Sequence, residues 1–191
     1  MEMIDLTLLA SERLRPLKRR EYDHLVEFGC FKDEKIELLN GMLVAMSPAG
    51  AGHAHAVTRL VALLVRGVGD RAIVRPQVPL GVTDDSEPEP DVALVPNQDY
   101  SHEHPARALL VVEVADSSLR QDRTVKAMLY ARAAVPEYWI VNLADRTVEV
   151  HRDPRGERYA SVVSHTAADA IHPECFTDLR ISIAEVLPKV G

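Results

Sequence analysis

Two carboxylates and one lysine stand out because their sequence neighbours are apolar. Asp91 follows Pro90 and opens the run Val92–Val95, while Glu113 interrupts the otherwise apolar stretch Ala108–Val114. Lys126 follows on a segment with helical spacing. An ionised carboxylate inside an apolar strand is costly unless something pairs with it. A second carboxylate on a neighbouring strand raises that cost unless a cation lies between them. Oxygen ligands with room for water suit a hard cation such as Mg²⁺ or Mn²⁺, and a nearby lysine can stabilise developing negative charge or orient a water. Acids and a lysine around a hard cation form the set of groups that cleaves phosphodiesters.

Positioning these groups takes strands, a hairpin and helices, and the chain has signals for each. Lys18–Phe28 reads as a short helix stopped by Gly29. Asn40-Gly41, between Lys35–Leu39 and Met42–Met46, is a two-residue hairpin signal, because both turn positions need positive φ. Pairing across that turn sets Leu39 opposite Met42 and Glu37 opposite Val44, so Glu37 is an acid among apolar side chains. Val57, Leu60, Val61, Leu64, Val65 and Val68 recur at three- and four-residue steps and predict an amphipathic helix over 53–68. Strands are expected at 72–75, 78–82, 92–95 and 108–114. A second helix is expected over 120–134, with Ser117 or Ser118 as its cap and Pro136 beyond its end. Tyr138–Leu143, Thr147–Arg152 and Arg158–Ser164 read as three strands with turns at 144–146 and 153–156, the last two forming an exposed antiparallel edge. A short helix closes the chain near Ser182–Leu187. The fold class is α/β: a mixed central sheet flanked by helices, with an antiparallel hairpin extension. An arm over residues 1–17 precedes one domain over 18–191.

At 191 residues the chain suits one such domain with appendages. Hydrophobic residues make up 47% and charged residues 27%, enough for a sizeable core and a solvated surface. Lys+Arg 22 against Asp+Glu 29 gives a net charge of −7, which argues against a protein that coats nucleic acid by bulk charge alone. A nucleic-acid enzyme is still open, since divalent cations neutralise an acidic site where a phosphate sits. Cys30 and Cys175 have no metal-ligand or redox spacing. With no signal peptide and no long apolar stretch, the expectation is a soluble cytoplasmic protein without a membrane span.

In order along the chain stand IELLNGMLVAMSP, a histidine seven residues before a helix leucine, DSEPEPDVALV, LLVVEVADSSLRQDR, K-x-x-x-YA and VPEYWIVN. This string, from about Tyr22 to Leu187, closely resembles the Uma-type restriction endonucleases of the PD-(D/E)XK restriction-endonuclease-like superfamily. The resemblance implies a nuclease fold, a Mg²⁺ or Mn²⁺ cofactor and metal-dependent cleavage of nucleic acid, DNA foremost. It implies that Asp91, Glu113 and the backbone carbonyl of Val114 bind the cation. Position 115 is alanine, so there is no local E-x-K, and Lys126 on the following helix is implied to reach the same site. Glu37 resembles the early acid of the superfamily, a supporting ligand or water-positioning group. His53 and Gln77 match recurring positions and are expected to position substrate. Asn142 stands where an aspartate is more usual. Cutting both strands with one site per subunit would favour a homodimer.

The bland readings of the same residues differ in weight. Asp84, Asp85, Glu87 and Glu89 read as a solvated acidic loop without calcium-loop spacing. Glu37 reads equally well as a paired structural acid. His53 and His55, two apart on a helix, do not share a face and form no H-x-H metal pair. His102 and His104 are expected to face water, and Lys18–Arg20 with Arg13 and Arg15 to be solvated. No nucleophile motif surrounds a serine or cysteine. The alternative function is a catalytically inactive nuclease-fold protein that binds or assembles.

Overall fold

In the computed structural model, which describes residues 15–189, Asn40 and Gly41 take φ of 49° and 77°. They turn β1 (Ile36–Leu39) into β2 (Met42–Ala45) with Leu39 opposite Met42 and Glu37 opposite Val44, the expected register. A side chain at position 41 would also collide with Pro16, and the Leu17 N–H donates to the Gly41 carbonyl at 3.0 Å. The rest of the expected arm, residues 1–14, lies outside the described residues. α1 (Arg19–Glu27) precedes the hairpin.

α2 (Ala51–Val68) buries its apolar stripe, Val57, Leu60, Leu64 and Val68, against one face of a six-stranded sheet. That sheet runs in the order β3 (Ala72–Pro76), β4 (Val92–Pro96), β5 (Leu110–Ala115), β6 (Glu137–Asn142), β7 (Thr147–Arg155) and β8 (Arg158–Thr166). Only β5 and β6 are parallel; every other neighbouring pair is antiparallel. A parallel pair needs a crossover. Here it is a helical segment: α3 (Leu119–Gln121), a π-helical turn (Asp122–Lys126) and α4 (Ala127–Arg132). This segment covers the opposite face, where Tyr130, Tyr138 and Ile140 form a second core. β4, β5 and β6 are buried nearly throughout, which is why they read as continuous apolar runs rather than alternating ones. A two-stranded ribbon, β9 (Ala170–Ile171) with β10 (Ile181–Ser182), and α5 (Ile183–Val186) close the α2 side.

Four sequence expectations change. Residues 78–82 are not a strand: Gln77 takes φ of 49°, and the Leu80 and Gly81 N–H groups donate to the carbonyls of Pro88 and Pro105 rather than to a ladder. β7 is interior, and β8 alone forms the edge. β7 also extends to Arg155, moving the turn beyond the expected start at Asp153. Ser118 does not cap its helix through its side chain; its hydroxyl donates to Asp122 at 2.6 Å.

Buried polar groups staple both ends of β6. Glu137 has no exposed surface, and its Oε1 accepts from Trp139 Nε1 at 2.8 Å and from Arg152 at 2.7 and 2.9 Å. Its Oε2 accepts the Glu174 N–H at 2.6 Å, so one carboxylate joins β6, β7 and the loop before β10. Asn142 has a structural role: its amide donates to Asp145, and its carbonyl accepts the Asp145 N–H at 3.0 Å, closing the β6–β7 turn. Among the described residues no helix is long and apolar enough to cross a membrane.

Candidate active site

Three strand ends meet in one row. β3 and β4 pair Pro76 with Val92, and β4 and β5 pair Val92 with Val112. One step further, the register sets Gln77 beside Asp91 and Asp91 beside Glu113. Opposed residues on antiparallel strands share a face, so two carboxylates are forced together where the ladders stop. Asp91 is fixed there by its surroundings. Its Oδ2 accepts the Val114 N–H at 2.8 Å and lies 3.0 Å from His53 Nε2, while its Oδ1 accepts from Gln77 Nε2 at 3.4 Å. The hydrogen bond to Asp91 raises the pKa of the His53 imidazole against the opposing effect of burial.

Glu113 alternates away from Val112 and Val114 and points to the α4 face. There its Oε1 accepts from both Lys126 Nζ at 3.0 Å and Tyr130 Oη at 2.8 Å. Lys126 and Tyr130 are four residues apart, one helical turn, so both reach the same carboxylate oxygen. This is the physical content of the K-x-x-x-Y spacing. Lys126 also lies 3.4 Å from Glu37 Oε2, which in turn accepts the Glu89 N–H at 3.3 Å. The hairpin therefore delivers its acid to the lysine from the other side.

The helical spacing extends one step back to a residue that sequence reasoning missed. Asp122 is 1% exposed, four positions before Lys126, and lines the same cavity. Burial pushes its carboxyl up, and the Ser118 hydrogen bond and Lys126 charge oppose this. The four-residue repeat Asp122–Lys126–Tyr130 was the available signal. The π-helical turn that holds Asp122 and Lys126 is of a kind often found at functional sites.

Glu37, Asp91, Glu113 and Asp122 are 2%, 8%, 4% and 1% exposed, and the ammonium buried with them is Lys126. Burial works to lower the Lys126 pKa, but the charges of Glu113, Glu37 and Asp122 outweigh it and raise it. Burial raises the Glu113 carboxyl, with Lys126 opposing and Asp91 adding to the rise. The groups border a cavity of about 660 Å³ that His53, Gln77 and Asp116 also line. His55 is exposed and apart from it, as the two-residue spacing predicts.

With this geometry the chain can be compared with known proteins. The model of the Uma2 family, described as "Putative restriction endonuclease", matches residues 20–184. The chain belongs to the Uma2 family. Its fold is that of a crystal structure described as a "putative nuclease belonging to DUF820 from Anabaena variabilis ATCC 29413", with a TM-score of 0.71. Sequence identity between the two is 15%, with 90% of this chain and 97% of that one covered. No curated protein matches the chain. The Uma2 match spans nearly the whole stretch over which the motif string ran, and the fold class expected from that string is the fold observed.

Two further residue groups of this Uma2 protein differ from their sequence readings. The basic run is exposed as expected at Arg15, Lys18 and Arg20, but Arg19 is half-buried and donates to the Gly81 carbonyl at 2.6 Å. Arg13 lies outside the described residues. The acidic loop is not uniformly solvated either, because Glu87 is 5% exposed and bridges to Leu38 of β1. Burial, with Asp23 adding and Arg19 opposing, pushes its carboxyl up to about 7. A folded-state value above the ordinary one favours folding at low pH, and that contribution fades as pH rises through about 7. Glu87→Gln should therefore remove about 2 kcal/mol of the stability lost between about pH 5 and pH 8. Denaturant melts across that range test this; parallel slopes for wild type and variant would refute it.

Proposed function

We propose that this Uma2 protein is a metal-dependent endonuclease that hydrolyses phosphodiester bonds, with DNA as its first substrate class. The observation that carries the reading is four buried carboxylates facing one cavity with one buried ammonium among them. Such an excess of negative charge away from water is stable only with protons or a cation bound. Among the described residues, no three His, Cys, Asp or Glu side chains converge to hold a metal by themselves. The donors suit a hard cation that keeps much of its water: Asp91 and Glu113 carboxylates, with the Val114 carbonyl as third ligand. That is the habit of Mg²⁺, and Mn²⁺ takes similar donors. When bound, the cation would supply Lewis-acid polarisation of the phosphate and activation of water.

The chain's own groups have separable roles in this proposal. Gln77 and His53 hold the Asp91 carboxylate in place. Tyr130 and Lys126 fix Glu113, leaving its other oxygen for the cation. Lys126, kept charged by its acidic neighbours, stabilises the negative charge that grows on the phosphate. Glu37 aims Lys126 and supports the attacking water.

The test is incubation of the purified chain with plasmid DNA, single-stranded DNA and RNA in Mg²⁺, Mn²⁺ or EDTA. Cleavage that requires the cation is expected. Saturation to about a hundred times the dissociation constant should add roughly 2.7 kcal/mol of stability, or roughly 5–10 °C in melting temperature at this size. Absence of both cleavage and the melting shift would favour the inactive binding-protein alternative.

A further inference from the structure

We propose that the chain pairs with a second copy of itself along β8, antiparallel about a two-fold axis at Val162, joining two six-stranded sheets edge to edge. β8 is the outermost strand, and among the described residues nothing pairs with its outer side. Exposed edges are usually blunted by lysine, proline, a bulge or shortness. The opposite edge strand, β3, is five residues long and ends in Pro76. β8 is nine residues long and contains neither lysine nor proline.

The apolar surface of β8 indicates what would cover it. Val162 and Val163 are 53% and 49% exposed, and successive strand residues face opposite sides of the sheet. Val163 stands opposite Val150, in the core layer under α2, and Val162 opposite His151, which packs on Tyr138 of the other layer. Both core layers thus continue to the edge and end in a half-bare valine. A helix or loop laid on one face would shield one valine. Another strand shields both and also pairs the open backbone groups.

Symmetry and charge favour an identical strand. A two-fold axis normal to a sheet preserves its faces, so opposed residues must share a face and the pairing centres on a single residue. Centred on Val162, the register sets Val162 against its counterpart, Val163 against Ser161 of the second copy and Arg158 against Thr166 of the second copy. Asp169 holds the Thr166 hydroxyl and N–H at 2.9 and 2.7 Å. Each Arg158 would therefore meet an acidic corner, twice by symmetry. The strand itself contains no Asp or Glu, and the two Arg158 residues lie at opposite ends of the pair.

Size-exclusion chromatography with light scattering on the full chain, at tens of micromolar, tests this. Wild type should have the mass of two chains. Val162→Lys and Val162→Glu should each have the mass of one, because like charges then face each other at the axis, and an equimolar mixture of the two should recover the mass of two. Arg158→Glu, at the exposed end, should raise the dissociation constant by about tenfold without touching the apolar surface. A wild-type monomer, a dimer that survives both Val162 substitutions, or a mixture that stays monomeric would overturn the proposal. Wild-type far-UV circular dichroism and a single cooperative melt will show that the variants fold, with any drop in melting temperature attributed to loss of the dimer.

Discussion

Lys126→Met should destabilise the folded protein by about 3–5 kcal/mol, the usual cost of leaving buried charge without its partner. The lysine contacts Glu113 at 3.0 Å and Glu37 at 3.4 Å, and both acids are almost fully buried. Methionine keeps the length and apolar stem of lysine, so packing is nearly preserved and the measured loss reports charge. Adding Glu113→Gln to this variant should restore much of the stability, because a neutral amide at position 113 no longer needs an ammonium. Tyr130 can still donate to its oxygen. A double-mutant cycle from urea melts gives the coupling directly. A Lys126→Met loss below about 1 kcal/mol, the range of exposed ion pairs, would show that the lysine does not hold these acids. In the proposed reaction the same variant should lose cleavage as well, since among the described residues no other ammonium is buried with the carboxylates.

The second large effect is expected at Asp91. Asp91→Asn keeps an oxygen to accept the Val114 N–H and removes the charge, which makes it a cleaner probe than alanine. Alanine would strand that buried N–H at about 1–3 kcal/mol. With asparagine, stability without metal should be kept or raised, because repulsion with Glu113 is relieved. The melting shift with Mg²⁺ or Mn²⁺ should vanish, and cleavage should fall by on the order of 10³-fold. A variant that keeps both the shift and the cleavage would remove Asp91 from the metal site. A variant that loses cleavage but keeps the full shift would move the cation to other carboxylates, with Asp122 the next to test.

Both experiments act on a junction whose parts differ in how legible they were. Asp91 and Glu113 could be picked out because an acid in an apolar run is locally anomalous, and burial leaves few explanations for it. Lys126 rested on a family motif, since a lysine on an amphipathic helix has the same local signature as a solvated one. Asp122 was passed over because a helical aspartate is ordinary by itself. Its significance arises from a fold that packs this helix over the end of β5. Glu87 was misread for the same reason: an acid-rich loop reads as solvated until a neighbouring hairpin buries one of its members.

The elements divide in a similar way. Asn40-Gly41 determined the hairpin and its register without help, because few residue pairs tolerate two positive φ angles in succession. The periodic valines and leucines of α2 likewise determined one helix and its buried face. Segment 78–82 had strand-like residues, yet its N–H groups went to Pro88 and Pro105 and it stayed irregular. Strand order, the burial of β7 and the exposure of β8 depend on contacts between distant residues, which no local pattern encodes. By itself the sequence determined the turn chemistry, the apolar stripes and which acids were out of place. Only the tertiary structure decided that three strand ends, a hairpin and a helix bring those acids around one lysine, because a buried charge is stabilised by its neighbours in space.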